Sequence, residues 1–259
     1  MQQWEEFLDT LTYGASVVDC INYGNIKCSG VDNWKNMAGG IIGRADNEIY
    51  LENCVNFGTI SGGSISSGGS TSGGIIGLST TSNCIVNKCK NMGKSLGGII
   101  GKVIVGANII NCCNYGECNS GIVNICAGQD WSINIELNIK NCYNLGKTSY
   151  GIVGSQGIYC ATNTINIENC YNAGQCEKAI IGSITYREGQ TITTTNVINT
   201  YYDQTKSISV GAVTEGIEAL NEEDIKNNET FIETLNNNIG ENTDWKRWKI
   251  GEDGYPTFE

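Results

Sequence analysis

The sequence predicts an all-β fold, a right-handed parallel β-helix of about six coils. Three observations carry this expectation: a hexapeptide that recurs six times, a glycine-flanked apolar motif that follows each copy, and an alternation of apolar and polar residues between them. A helical solenoid would instead repeat its apolar residues with a period of 3.6.

The hexapeptide reads DCINYG from Asp19, NCVNFG from Asn53, KCKNMG from Lys88, NCCNYG from Asn111, NCYNLG from Asn141 and NCYNAG from Asn169. A degenerate copy, NTYYDQ, starts at Asn199. Successive cysteines are spaced by 34, 35, 23, 30 and 28 residues. The shortest spacing accommodates one coil of three short strands, and the longer ones read as loops bulging from a constant coil. The second motif is GGIIG from Gly39, Gly73 and Gly97, then GIVN from Gly121, GIVG from Gly151 and AIIG from Ala179.

Aligning the copies on the cysteine predicts the buried rows. Val17, Leu51, Val86, Ile109, Ile139, Ile167 and Val197 lie three residues before it, and Ala15, Ile49, Cys84, Ala107, Leu137, Ile165 and Thr195 lie five before it. Cys20, Cys54, Cys89, Cys112, Cys142 and Cys170 make a further row. Two residues on, Asn22, Asn56, Asn91, Asn114, Asn144 and Asn172 make an asparagine ladder, each amide bonding to the next and to turn backbone. The glycine two residues later (Gly24, Gly58, Gly93, Gly116, Gly146, Gly174) is expected to take a left-handed turn.

The ends need covers, since a solenoid exposes open edges. Residues 1–13 are expected to form a short helical cap, with Trp4, Phe7, Leu8 and Leu11 at helical spacing. The repeats span 14–204, and 205–259 form an α/β cap. In the latter, Asn221 followed by Glu222, Glu223 and Asp224 starts a helix, Phe231, Ile232, Leu235 and Ile239 form its apolar face, and Gly240 stops it. Trp245, Trp248, Ile250, Tyr255 and Phe258 are expected to make a hairpin over the last coil.

Composition narrows the function classes. The 259 residues carry a net charge of −11, with 16 basic and 27 acidic side chains, which disfavours nucleic acid as a partner. No apolar run approaches the length of a membrane span. Histidine is absent, removing the commonest general base and Cys/His zinc sites, so no cofactor or metal is expected. Thirteen cysteines is an odd number, and Cys28, Cys118 and Cys176 share their place with Ser95 and Thr148. Packing as free thiols explains that exchange better than disulfides or metal ligation. No row of Asp, Lys or Arg lines one face of the repeats, so no catalytic residue is assigned.

The Gly-Ile-Ile-Gly cores at Gly40, Gly74 and Gly98, Gly151-Ile152-Val153-Gly154, the Asn-Cys-Tyr-Asn-x-Gly segments and the tail from Tyr201 to Gly254-Tyr255-Pro256 resemble the GLUG-motif repeat family of bacterial surface proteins. The resemblance covers roughly residues 14–259. It implies a right-handed β-helix on a bacterial exterior, adhesin-like, monomeric or part of a longer surface protein. The sequence carries no signal-peptide pattern at Met1-Gln2-Gln3-Trp4, so an extracellular location rests on the resemblance.

Two function classes remain. One is a non-catalytic surface module that presents loops to a glycan or a host or bacterial protein, with Trp34 and Trp131 as contact residues. The other is a β-helix enzyme, a lyase or glycoside hydrolase, acting on polysaccharide. The missing histidine and missing charged row favour the first.

Overall fold

A computed structural model describes residues 14–28, 37–62, 71–157, 159–185 and 192–259, together with the backbone of Thr10 and Leu11. It is a parallel β-helix. One repeat shows how the chain runs. Met37–Gly39 is a short strand, Ile42–Ala45 follows on a face built from the Gly-Ile-Ile-Gly motifs, Ile49–Glu52 lies on a second, long face, and Val55–Asn56 lies on the asparagine face. Every face stacks strands from successive repeats. The Gly-Ile-Ile-Gly face has eight strands from Thr10–Leu11 to Ser207–Gly211, the long face seven from Ala15–Val18 to Ile192–Ile198, and the asparagine face eight from Ile21–Asn22 to Ile217–Leu220. A four-stranded sheet from Met37–Gly39 to Cys118–Ser120 and a parallel pair, Ile26–Lys27 with Ile60–Ser61, complete the wall.

The register is the one that the cysteine alignment predicts. Leu51 pairs with Val17 and Val86, Ile109 with Val86 and Ile139, and Ile167 with Ile139 and Val197. These rows fill the interior together with both isoleucine positions of the second motif, which are buried from Ile41 and Ile42 to Ile180 and Ile181. Parallel pairing continues past Asp203: Ser207 pairs with Cys176, and Ile217–Leu220 runs beside Thr200–Asp203. The repeat pairing therefore passes the expected boundary at 204.

The asparagine ladder runs through the corner as one chain of amides. Asn22 donates to Asn56, Asn56 to Asn91, Asn91 to Asn114, Asn114 to Asn144 and Asn144 to Asn172, at 2.7–2.8 Å. Each amide also closes its own turn. Asn114 donates to Gly116 O at 3.0 Å and accepts the Gly116 N–H at 3.2 Å. The ladder ends where Tyr202 pairs with Asn172, whose amide donates instead to the Cys176 sulfur at 3.3 Å.

The left-handed residue is not the glycine. It is the first residue of the hexapeptide: Asp19, Asn53, Lys88, Asn111, Asn141, Asn169 and Asn199 have φ between +48° and +56°. Asn and Asp tolerate this conformation because their short polar side chains bond locally. None of the six hexapeptide glycines has a positive φ; Gly58, Gly93, Gly116, Gly146 and Gly174 are needed for close approach, whereas a Cβ on Gly24 would meet nothing nearer than 3.5 Å. A Cβ on Gly116 would lie 1.8 Å from Gly93 O, and one on Gly74 would meet the Asn91 side chain at 2.3 Å. The second contact joins the two motifs: glycine in one makes room for the amide of the other.

Stacked cysteines line the interior next to the ladder as free thiols. The N–H of Cys89 donates to the Cys112 sulfur, that of Cys112 to Cys142 and that of Cys142 to Cys170, at 3.3–3.4 Å. The thiols in turn donate to carbonyls, as Cys112 does to Ile110 O at 3.2 Å. Burial pushes the Cys89, Cys112 and Cys142 thiols well above their usual range and that of Cys84 up to about 12.

The two ends differ from expectation. Thr10 and Leu11 pair in parallel with Arg44 and Ala45, so Leu11 belongs to a strand and not to a helical cap; Trp4, Phe7 and Leu8 lie outside the described residues. The C-terminal elements are helical and hairpin as expected, but the one expected helix is two, α1 (Glu222–Ile225) and α2 (Glu229–Asn237), broken where Asn227 takes φ +53°; an antiparallel hairpin of Trp248–Ile250 with Pro256–Phe258 follows. Their place is broader than expected: they pack on Tyr201 of the last coil and run back along the asparagine face as far as Cys113. Phe231, Ile232, Leu235, Trp245, Trp248 and Tyr255 pack on Cys113, Tyr143, Tyr171 and Tyr201, which point outward from successive repeats. Those four side chains form an apolar column that would otherwise face water. Val213 and Ile217 pack against the interior at the last repeat.

Two measurements check this architecture. Replacing Asn114 by Leu strands Asn91, Asn144 and both polar groups of Gly116, and we expect a loss of about 1–3 kcal/mol or more in chemical denaturation; an unchanged midpoint would show that the ladder is not buried. In the native protein the interior cysteines should resist alkylation at pH 8 while the partly exposed Cys20 and Cys28 react first, and unfolding should release the ladder thiols. Intact disulfides among them in mass spectrometry would contradict this.

Candidate ligand-binding surface

Of the two tryptophans singled out by sequence, Trp34 lies outside the described residues. Trp131 sits in the loop between Val123–Cys126 and Asn134–Lys140 and is 39% exposed. It meets Tyr159, 51% exposed, from the corresponding loop of the next repeat, with ring centroids 5.2 Å apart and planes tilted by 53°. Contacts at the loop bases bring the pair together. The N–H of Ala161 donates to Ile133 O at 2.7 Å, and Ile133 packs against the interior. Gly128 lies so close to the neighbouring loop that a Cβ would meet Tyr159 O at 2.3 Å. Asp130 accepts both the N–H and the hydroxyl of Ser132 at 2.9 Å, and these bonds hold its carboxyl below the usual range. A tight turn thus presents Trp131. Tyr159 escaped sequence reasoning because it lies outside both motifs; its only signal is a place one repeat after Trp131.

A second feature missed in the sequence is a ladder on the outside of the long face. Asn196 donates to Asn166, Asn166 to Asn138 and Asn138 to Asn108, at 2.8–2.9 Å. These residues point outward between the buried Ile109, Ile139 and Ile167 rows and their neighbours, so period-2 alternation contained them.

The left-handed corner forms a third ladder, which the C-terminal segment reads. Asn141 donates to Asn111 at 2.8 Å, Asn169 to Asn141 at 2.8 Å and Asn111 to Asn87 at 2.8 Å. Asn111 also donates to Asp244 O and accepts the Lys246 N–H, Asn141 donates to Lys246 O, and Asn169 donates to Leu235 O, at 2.8–3.1 Å. The indole N–H of Trp248 donates to Asn141 at 2.7 Å. Tyr143 and Thr257 share a hydroxyl–hydroxyl bond at 2.8 Å, and Tyr171 donates to Pro256 O at 2.5 Å.

A group of charged and hydroxyl side chains ties the last repeat to this segment. Asp203 is fully buried and accepts the N–H and hydroxyl of Thr205 at 2.9 and 2.6 Å; its other oxygen lies 3.5 Å from Lys206 Nζ. Lys206 pairs with Glu222 at 3.0 Å and donates to the Tyr255 hydroxyl, which donates to Glu222. The hydrogen bond from Tyr255, then that from Lys206, holds the Glu222 carboxyl below its usual value. Burial of the Tyr255 ring pushes its hydroxyl up. Each member is engaged with another, and the group clamps the tail; open clefts lie beside it, one lined by Lys206 and Cys176 and one by Glu222 and Lys226. Among the described residues no three His, Cys, Asp or Glu side chains converge to hold a metal ion, and no helix is long and apolar enough to cross a membrane.

No family model, curated protein or solved structure matches this chain.

Two outcomes follow for the docked tail. Asn141→Gly keeps the left-handed backbone but leaves the buried Trp248 N–H without its acceptor, so we expect a loss of about 1–3 kcal/mol and a shift in tryptophan emission; Asn141→Ala should lose roughly 1–2 kcal/mol more from backbone strain. Equal stability of the two variants would refute the strain argument. Because the folded pKa of Glu222 is lowered, its contribution is complete above the ordinary glutamate value of about 4.3 and is lost as pH falls through the lowered value. Wild type should therefore lose more melting temperature than Glu222→Gln between pH 6 and pH 3; parallel losses would remove the carboxylate from the clamp.

Proposed function

We propose that this protein is a non-catalytic recognition module, an extracellular or cell-surface β-solenoid of the adhesin-like kind that its GLUG-like repeats resemble, and that it binds glycan or protein through loops held on the rigid wall. The single observation that carries the reading is the Trp131–Tyr159 pair: two solvent-exposed rings from loops of adjacent repeats, tilted toward one another and fixed by contacts at the loop bases. Ordered aromatic side chains supply large contact area with few rotatable bonds, and a fixed scaffold loses little conformational freedom on binding. Both rings are partly exposed to solvent, as contact with a sugar ring or a partner's apolar side chain requires. Trp34 stays in the proposal as a second contact on its sequence evidence.

The absence of histidine supports a binding role over turnover, and so does the engagement of Asp203, Lys206, Glu222 and Tyr255 with one another in the clamp. A glycan array followed by titration tests the proposal. Trp131→Ala and Tyr159→Ala should each weaken the best ligand by about tenfold, a typical loss for an aromatic contact residue. Incubation with a polysaccharide panel should release neither new reducing ends nor unsaturated products. Release of either would make the protein an enzyme, and unchanged affinity in both variants would move the site elsewhere.

A further inference from the structure

The column that the C-terminal segment covers does not end where the segment ends. Cys113, Tyr143, Tyr171 and Tyr201 are buried beneath it, but the same outward position in the earlier repeats is held by Ile21, 47% exposed, and by Val55 and Lys90. Beside them Tyr23 is 73% exposed, and Val18, Phe57 and Met92 are also exposed. A groove of about 520 Å³ opens at Lys246, Thr257 and Phe258 and runs over Lys88 and Asn53 to Asp19 and Val18. It is continuous with the docked tail and in register with the same corner ladder, since Asn53 donates to Asp19 at 2.6 Å as Asn141 does to Asn111.

We propose that this uncovered stretch of the asparagine face is a docking site for an extended apolar polypeptide segment of another protein, which lies on the wall as a continuation of the C-terminal segment. The covered stretch shows the chemistry. There the ladder is read mainly by main-chain groups, namely Asp244 O, Lys246 N and O, and Leu235 O, while aromatic and aliphatic side chains fill the column. A polypeptide main chain supplies alternating donors and acceptors at that spacing. The charges do not call for an ionic ligand, because Lys88 is paired with Glu52 and Lys90 sits 4.3 Å above the Tyr115 ring. The Tyr23 and Phe57 rings stack on each other at 5.1 Å and 5°, so the exposed row of the earlier repeats is aromatic, as the covered column is.

The test uses the full chain as bait for a displayed library of random peptides about twelve residues long, with enriched peptides resynthesised and titrated. Enriched peptides should combine aromatic and aliphatic residues. Their affinity should fall by about tenfold or more in the Tyr23→Ser/Phe57→Ser double variant and also fall in Asn53→Gly, which keeps the left-handed backbone but removes the amide. Trp131→Ala should leave it unchanged, so failure here is separable from failure of the loop site. Denaturation midpoints equal to wild type establish that the double variant is folded. Three results would overturn the proposal: no enrichment, peptides that bind wild type and double variant alike, or a dimer in sedimentation that the double variant abolishes. The last would assign the patch to a second copy of this chain.

Discussion

A primary amide buried in the corner of every repeat is the constraint from which the rest of the molecule follows. An amide has two donors and an acceptor oxygen with two lone pairs, and leaving them unpaired inside a protein costs more than most packing contacts return. Stacking satisfies them only if successive amides lie one strand spacing apart, about 4.8 Å, and face the same way. The ladder from Asn22 to Asn172 therefore sets both register and coil shape, while the loops between motifs vary freely in length. The glycines are consequences of it. Those from Gly58 to Gly174 let turn carbonyls pass at close range, and those of the Gly-Ile-Ile-Gly motif clear space for the amide itself.

Outside the wall the same side chain serves a second purpose. At the left-handed corner asparagine relieves backbone strain and leaves hydrogen-bonding capacity for a partner, and the C-terminal segment uses it from Asn111 to Asn169. Lys88, at the same φ, cannot join that ladder, and Asn87 takes its place as the acceptor for Asn111. The tail is thus held by polar groups arranged in advance and by an apolar column between them. Specificity and burial come from adjacent rows of one surface.

The interior was largely legible because its signals are periodic. The rows through Leu51 and Ile139 follow from counting back from the cysteine, and the parallel pairing matches that count residue for residue. The left-handed residue was misplaced because glycine is the usual candidate, whereas here close approach of backbones demanded the glycine and asparagine itself took the strained conformation. The tail is legible as a cover, but its reach beyond the last coil along the asparagine face is not. Its target is formed by Cys113, Tyr143, Tyr171 and Tyr201, which share an outward position that no single repeat marks as apolar. Tyr159 likewise acquires meaning only from the loop of the preceding repeat, so no local pattern announced its meeting with Trp131.

The inner ladder has a direction. From Asn56 to Asn144 each rung gives an amide hydrogen to the next repeat and receives one from the repeat before, so the amide dipoles align along the axis and polarise one another. A chain of identical links carries no information about its own length. Duplicating a rung between Asn56 and Asn144 would return each neighbour the same donor and the same acceptor. The outer corner is different, because Asn111, Asn141 and Asn169 are matched one by one to Asp244, Lys246 and Leu235. The inner ladder is indifferent to length, and the docked tail is the ruler that fixes how many repeats it must span.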